Sequence, residues 1–425
     1  MTDTTPEQPA ANKLSRLKAC IHSLGPGIMM ATAAVGGSHL VSSTQAGAIY
    51  GWQLAAVILL VNLLKYPFFR AGVQYTMGTG NSLIQGYDGM GRGYLWVFTA
   101  LSVISSVVNT AALLLFSASL LGYFLPVTLS LPVLSGIVVI ACLAILIAGH
   151  YKALDGLSKI IMAVLVIATV TAAMIAAGNG SVAPADYQSP SAWSIASIGF
   201  IVIMMGWMPA PIEISCLTSL WLKSQRKEQQ VTEQSALFDF NVGYIGTAIL
   251  AVVFLALGAL VLHGSGTELK TSGIGFSHQL VSMYASTIGE WSRYLIAVVA
   301  FFCIFGSTIT VIDGYARALA ESQLLLQNKP LGQRRCHNIW MLFISAAAMG
   351  IILFFSSALM PLLDFAMILA FMTTPVFALL NYQLVSNTDL PPALQWSQKM
   401  KVLSWIGLTY LFGFLAVFIW WKWLM

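Results

Sequence analysis

Residues 24–50 read LGPGIMMATAAVGGSHLVSSTQAGAIY, and residues 193–221 read WSIASIGFIVIMMGWMPAPIEISCLTSLW. Each stretch is long and apolar enough to cross a hydrocarbon core, which takes roughly 20 residues of helix. Each is also interrupted about halfway, by Gly36-Gly37-Ser38 in the first and by Met208-Pro209-Ala210-Pro211 in the second. Paired glycines and closely spaced prolines sit poorly in a continuous helix. Backbone groups freed at mid-bilayer depth are tolerated only where they line a polar cavity. Breaks in corresponding places of two halves mark the substrate site of an alternating-access transporter. The two stretches therefore predict a fold and the place of its site together.

The rest of the chain agrees with a membrane protein. Charged residues make up 8% and hydrophobic residues 58%, too few and too many to build a water-facing surface. Eleven stretches are long enough to span: 24–50, 52–69, 95–122, 128–148, 157–177, 193–221, 238–262, 292–320, 338–357, 359–384 and 403–422. The expected fold is thus an all-α polytopic membrane protein with eleven transmembrane helices. Residues 21–177 (spans one to five) and 193–385 (spans six to ten) form two repeats, 403–425 adds an eleventh span, and 1–20 is a cytoplasmic tail. Each half has an odd number of spans, so the second enters the membrane from the opposite side and the repeat is inverted.

Basic residues are retained on the cytoplasmic side. With the N-terminus inside, 15 lysines and arginines fall in cytoplasmic connections and only Lys270, Arg293 and Lys422 outside. The C-terminus is then outside, and a bacterial inner membrane is the expected location. The net charge of +5 is absorbed by this asymmetry, and no basic stripe remains to suggest nucleic acid. The five cysteines form no C-x-x-C pair, which argues against disulfides and a thiolate metal site. No catalytic signature such as H-E-x-x-H or G-x-S-x-G occurs, so an enzyme is not expected. The glycine-rich 86–93 lacks a Walker lysine and is expected to be a flexible inside loop. The polar connection 263–291 is expected to be an outside loop.

Four segments carry a family resemblance: Gly25-Pro26-Gly27 followed by Gln45-Ala46-Gly47-Ala48 and Tyr50-Gly51-Trp52; Arg70-Ala71-Gly72 through Gly78-Thr79-Gly80; Met208-Pro209; and Gly306-Ser307-Thr308-Ile309-Thr310. Together they resemble the Nramp family of divalent-metal transporters. The resemblance implies a LeuT-type inverted repeat and uptake of manganese, iron or similar ions coupled to protons. Two motifs depart from it. Where the family has D-P-G-N the chain has Gly36-Gly37-Ser38-His39, and where it has M-P-H the chain has Met208-Pro209-Ala210. The metal-binding aspartate and the proton-linked histidine are both replaced, and span three has no carboxylate between Gly93 and His150. Proton coupling of the usual kind is expected to be weak.

The candidate substrate-binding residues are Gly36, His39, Met205, Met208 and Glu213, with His39 and Met208 as metal ligands. A neutral imidazole suits transition metals, and the resemblance makes Met208 a thioether ligand, which favours the softer ones. Glu213 is a carboxylate inside an apolar span and so a functional candidate by default. Asp313 and Arg317, four apart on one helix face, are expected to form a gating or structural ion pair. Asp364 lies near the outer end of span ten, and Lys65 near the inner end of span two is expected to snorkel to the surface.

Three functions remain open at this point. The first is a secondary transporter carrying a divalent transition-metal ion such as manganese or iron. The second is a transporter of the same fold for a small anion or organic solute, since half-helix N-termini at Ser38-His39 and Pro211-Ile212 present N–H groups. The third is a binder or regulator that does not transport. No resident cofactor is expected; the partners are a small ion or solute and the lipid bilayer.

Overall fold

The computed structural model describes residues 24–125, 129–149, 151–228, 230–266, 270, 273–355 and 359–423, which are helical throughout with no strand among them. The expected tail 1–20 lies outside the described residues. Span one consists of α1 (Pro26–Ala34), a π-helical segment (Ser38–Ser43) and α2 (Thr44–Tyr50). There follow α3 (Ala55–Thr79), α4 (Leu83–Met90), α5 (Arg92–Phe124), α6 (Leu131–Ile147) and α7 (Tyr151–Asn179). Span six is split into α8 (Ile198–Gly206) and α9 (Ile214–Glu228). The chain continues through α10 (Glu233–Val261), α11 (Gly273–Ile288), α12 (Arg293–Leu326), α13 (Arg334–Phe355), α14 (Leu359–Asn387) and α15 (Gln398–Trp423).

Among the described residues, eight helices are by themselves long and apolar enough to cross a membrane; α6 and the stretch ending in α8 are apolar but shorter. Helix α12 is the hub: 78% of its most apolar window is buried within the protein, against 28% for α7, α13 and α15. The latter three turn residues such as Ile167, Phe354 and Trp405 outward, as a lipid-facing perimeter requires. The most extensive helix packing is α12 against α5.

Span one leans on α10 through backbone contact. A Cβ on Gly27 would lie 2.3 Å from the Asp239 carbonyl oxygen, and one on Gly47 would lie 2.0 Å from that of Leu255. From the other side, a Cβ on Gly258 would lie 2.1 Å from the Thr44 carbonyl oxygen. Small residues at such crossings let helices approach where lipid supplies no hydrophobic drive. Asp239 also accepts from the Gly25 N–H (3.1 Å) and the Gly27 N–H (2.6 Å), satisfying orphan donors at the start of α1.

Three expectations need correction. The stretch 86–93 is not a flexible loop: 86–90 end helix α4, whose start Ser82 and Gln85 cap reciprocally, and 92–93 begin α5. The connection 263–291 contains α11. Lys65 does not snorkel: α3 runs ten residues past the expected end of span two, so Lys65 sits mid-helix and none of its side chain is exposed.

Candidate functional site

The first break is short. Only Val35 and Gly36 leave helical geometry, and the chain is helical again from Gly37, passing at once into the π-helical turn. The freed carbonyls of α1 are taken up by α12: Cys303 Sγ reaches the Val35 oxygen at 3.2 Å and Ser307 Oγ donates to the Thr32 oxygen at 2.9 Å. The second break is longer, covering residues 207–213, with a cis Met208–Pro209 peptide. Ser38 Oγ and the Pro209 carbonyl oxygen, 3.5 Å apart, bring the two breaks together.

Between them lies a cavity of about 30 Å3, lined by Gly37 and Ser38 from the first break, Trp207, Pro209, Ala210 and Pro211 from the second, and Asn109 and Tyr315 from α5 and α12. That volume holds one or two waters or a partly dehydrated ion. Gly37 is needed here because a Cβ would lie 2.7 Å from the Trp207 ring.

A polar chain leads out of the cavity through Tyr315. Tyr315 Oη accepts from Asn109 Nδ2 at 2.9 Å and donates to Glu213 Oε1 at 3.0 Å. Asn109 Oδ1 is buried without a hydrogen-bond partner, and Glu213 Oε2 closes no hydrogen bond of good geometry, with the Ser105 hydroxyl beside it. Buried polar atoms are nearly always satisfied, so two under-satisfied acceptors on neighbouring groups point to a donor or cation that belongs there. Ser105 and Ser102, one and two turns from Asn109, continue the same face of α5, with the Ser105 hydroxyl next to Glu213.

The residues singled out from sequence divide. Glu213 stands one hydrogen bond behind the cavity wall and is 1% exposed. Gly36 faces Ser307, not the cavity. His39 also does not line it. Its Nδ1 pairs with Ser38 Oγ at 2.7 Å and its Nε2 with the Thr247 carbonyl oxygen at 2.9 Å. Because a carbonyl can only accept, Nε2 carries a proton, and both ring nitrogens are engaged. Met208 and Met205 belong to an apolar cluster with Leu54, Ile58 and Phe371. Met205 Sδ accepts from Tyr410 Oη at 3.0 Å. The expected ligand pair His39 and Met208 therefore does not converge on the cavity. The cause is local: the widened π turn beginning at Ser38 swings His39 toward α10.

Asp313 and Arg317 lie on another face of α12, with Arg317 Nε 2.6 Å from Asp313 Oδ2 and His337 Nε2 3.3 Å from Oδ1. They border a separate cavity of about 630 Å3 at the end of the molecule that carries Lys223, Lys227 and Arg334. Asp364 is half-buried near the start of α14. Among the described residues no group of three or more His, Cys, Asp or Glu side chains is placed to hold a metal ion. Sequence reasoning missed Asn109, Tyr315 and Asp239; the spacing of Ser102, Ser105 and Asn109 on one face of span three was the available signal for the first.

The sequence model of the family described as Nramp, natural resistance-associated macrophage protein-like, matches residues 27–421. The chain belongs to the Nramp family. An uncharacterized protein of Pasteurella multocida (strain Pm70) is 53% identical over 400 residues, covering 93% of this chain and 92% of that protein. Among solved structures, a mutant of the Eremococcus coleocola manganese transporter is similar with a TM-score of 0.70 at 14% identity, covering 98% of this chain and 89% of that one. MhsT in complex with L-phenylalanine follows the same path with a TM-score of 0.64 at 13% identity, covering 92% and 98%. This Nramp protein thus has the LeuT-type fold of membrane transporters and is not an enzyme.

Proposed function

We propose that the protein is a secondary active transporter that carries a divalent metal ion by alternating access, binding it in the cavity between the two breaks. The observation that supports this most directly is the pair of under-satisfied acceptors, Asn109 Oδ1 and Glu213 Oε2, joined through Tyr315 at the cavity wall. With the nearby Ser38 hydroxyl and Pro209 carbonyl they make an oxygen donor set, which suits manganese or another hard dication better than a soft one. The manganese transport named for the Eremococcus relative is compatible with this set. Among the described residues only one carboxyl stands near the cavity, so a bound dication retains part of its hydration water. The other site candidates, His39, Met205 and Met208, then support the breaks from behind.

The reading includes eleven crossings as two inverted halves plus α15, with the basic connections in the cytoplasm. Proton coupling is weak or altered, because Ala210 cannot titrate and α5 brings no carboxyl to the cavity.

The test is flux into liposomes containing the full-length protein, across manganese, iron, magnesium, chloride and small organic anions, with a pH-sensitive dye inside. Saturable manganese uptake with little internal acidification is expected. Uptake of an anion and of no metal would replace this reading with the anion carrier. Absence of all flux alongside retained metal binding would favour a non-transporting binder.

A further inference from the structure

Lys65 is a buried cation that the cavity does not use. It lies midway along α3 with none of its side chain exposed. Its ammonium is held by two main-chain carbonyls, donating to Met205 O at 2.6 Å and Gly206 O at 3.3 Å. These are the last two carbonyls of α8. Carbonyls at a helix C-terminus lack the usual i+4 donors and carry the negative end of the helix dipole; Met205 O accepts from the main chain only a long bond, 3.4 Å, from the Met208 N–H. In discontinuous membrane helices such half-helix ends are where a small monovalent cation is coordinated. The other side of the helix end is sealed by α14, since a Cβ on Gly206 would lie 1.9 Å from the Met367 carbonyl oxygen.

An apolar residue at position 65 would suit a mid-membrane packing position but would leave these carbonyls facing a neutral wall. A lysine there costs desolvation, which is recovered only through what the ammonium binds. We propose that Lys65 is a tethered cation: its ammonium fills, from within the chain, a carbonyl site at the second break that otherwise requires a free monovalent cation. The protein therefore keeps this break formed without sodium or potassium. The inference holds whatever the cargo is.

The experiment replaces Lys65 with alanine, which removes the ammonium and its stem. Melting of the purified full-length protein is compared in choline, sodium, potassium and methylammonium chloride at equal ionic strength. Wild type is expected to melt at the same temperature in all four. Lys65→Ala is expected to melt at least ~5 °C lower in choline and to regain most of that loss, saturably, with methylammonium or sodium, as ligand linkage requires. Equal melting of the variant in every salt, or a response that choline matches, would overturn the proposal. If the variant cannot be purified in choline it is prepared throughout in methylammonium. Failure there as well would also overturn it, because the ammonium would then do something no free cation replaces. No metal enters this readout, so loss of the metal-transport reading leaves it intact, and loss of the cation response leaves metal transport intact.

Discussion

Met208 packs with no exposure among Leu54, Ile58, Met204 and Phe371, so its thioether faces hydrocarbon. Replacing it with alanine is expected to cost about 2–5 kcal/mol of stability, the usual range for truncating a buried methionine, and to change metal affinity by less than about threefold. Denaturant melts and calorimetry on the same sample check both halves. His39→Gln is expected to leave the pH dependence of metal binding between about pH 5.5 and 7.5 unchanged, since the ring is occupied by Ser38 and Thr247. A profile flattened by this substitution would return His39 to the site. The sequence made these two residues visible by type and by their closeness to a break. It could not reveal their direction, because a 3.6-residue periodicity does not anticipate a π turn at Ser38. Glu213 was legible for the opposite reason: a carboxyl in an apolar span is conspicuous whichever way it points. Asn109 and Tyr315 carry no formal charge and blend into a span of ordinary polarity.

At the scale of elements, span one and α10 are held together by glycine contacts at both ends. Gly47→Ala and Gly258→Ala each place a Cβ about 2 Å from a partner backbone oxygen, where no rotamer change can relieve the clash. Each is expected to destabilise the protein by about 1–3 kcal/mol. Gly246→Ala, on the same helix with nothing within 4 Å of its Cβ, is expected to be neutral or to stabilise by up to ~1 kcal/mol. Melting of the three variants side by side tests whether the interface or helix propensity governs. The broken spans were readable from their glycines and prolines. Helix α4 was not, since five glycines between 78 and 91 look like a loop. Gly86 in fact meets Leu384 and Tyr75 side chains at 2.5 and 2.8 Å from a would-be Cβ, so its smallness serves close packing. Lys65 was misjudged because the end of span two was set by hydropathy, whereas α3 continues through polar residues that face protein.

At the scale of the whole molecule, the inverted arrangement requires that the connection 178–192 and the connection 222–236 open to opposite sides. A cysteine at position 186 is expected to react with an impermeant reagent from outside intact cells, and one at 228 only after the membrane is opened. Labelling of both from one side would contradict the two-half organisation. The central claim is that the cargo site is built from oxygens on α5, α12 and the second break, and not from the imidazole and thioether. Calorimetric titration of manganese into wild type, Asn109→Ala, Glu213→Gln and Met208→Ala tests it most directly. Saturable binding by wild type, weakened at least ~10-fold in the first two variants (about 1.4 kcal/mol) and nearly unchanged in the third, is the predicted result. Binding lost in Met208→Ala but kept in Asn109→Ala and Glu213→Gln would contradict the account.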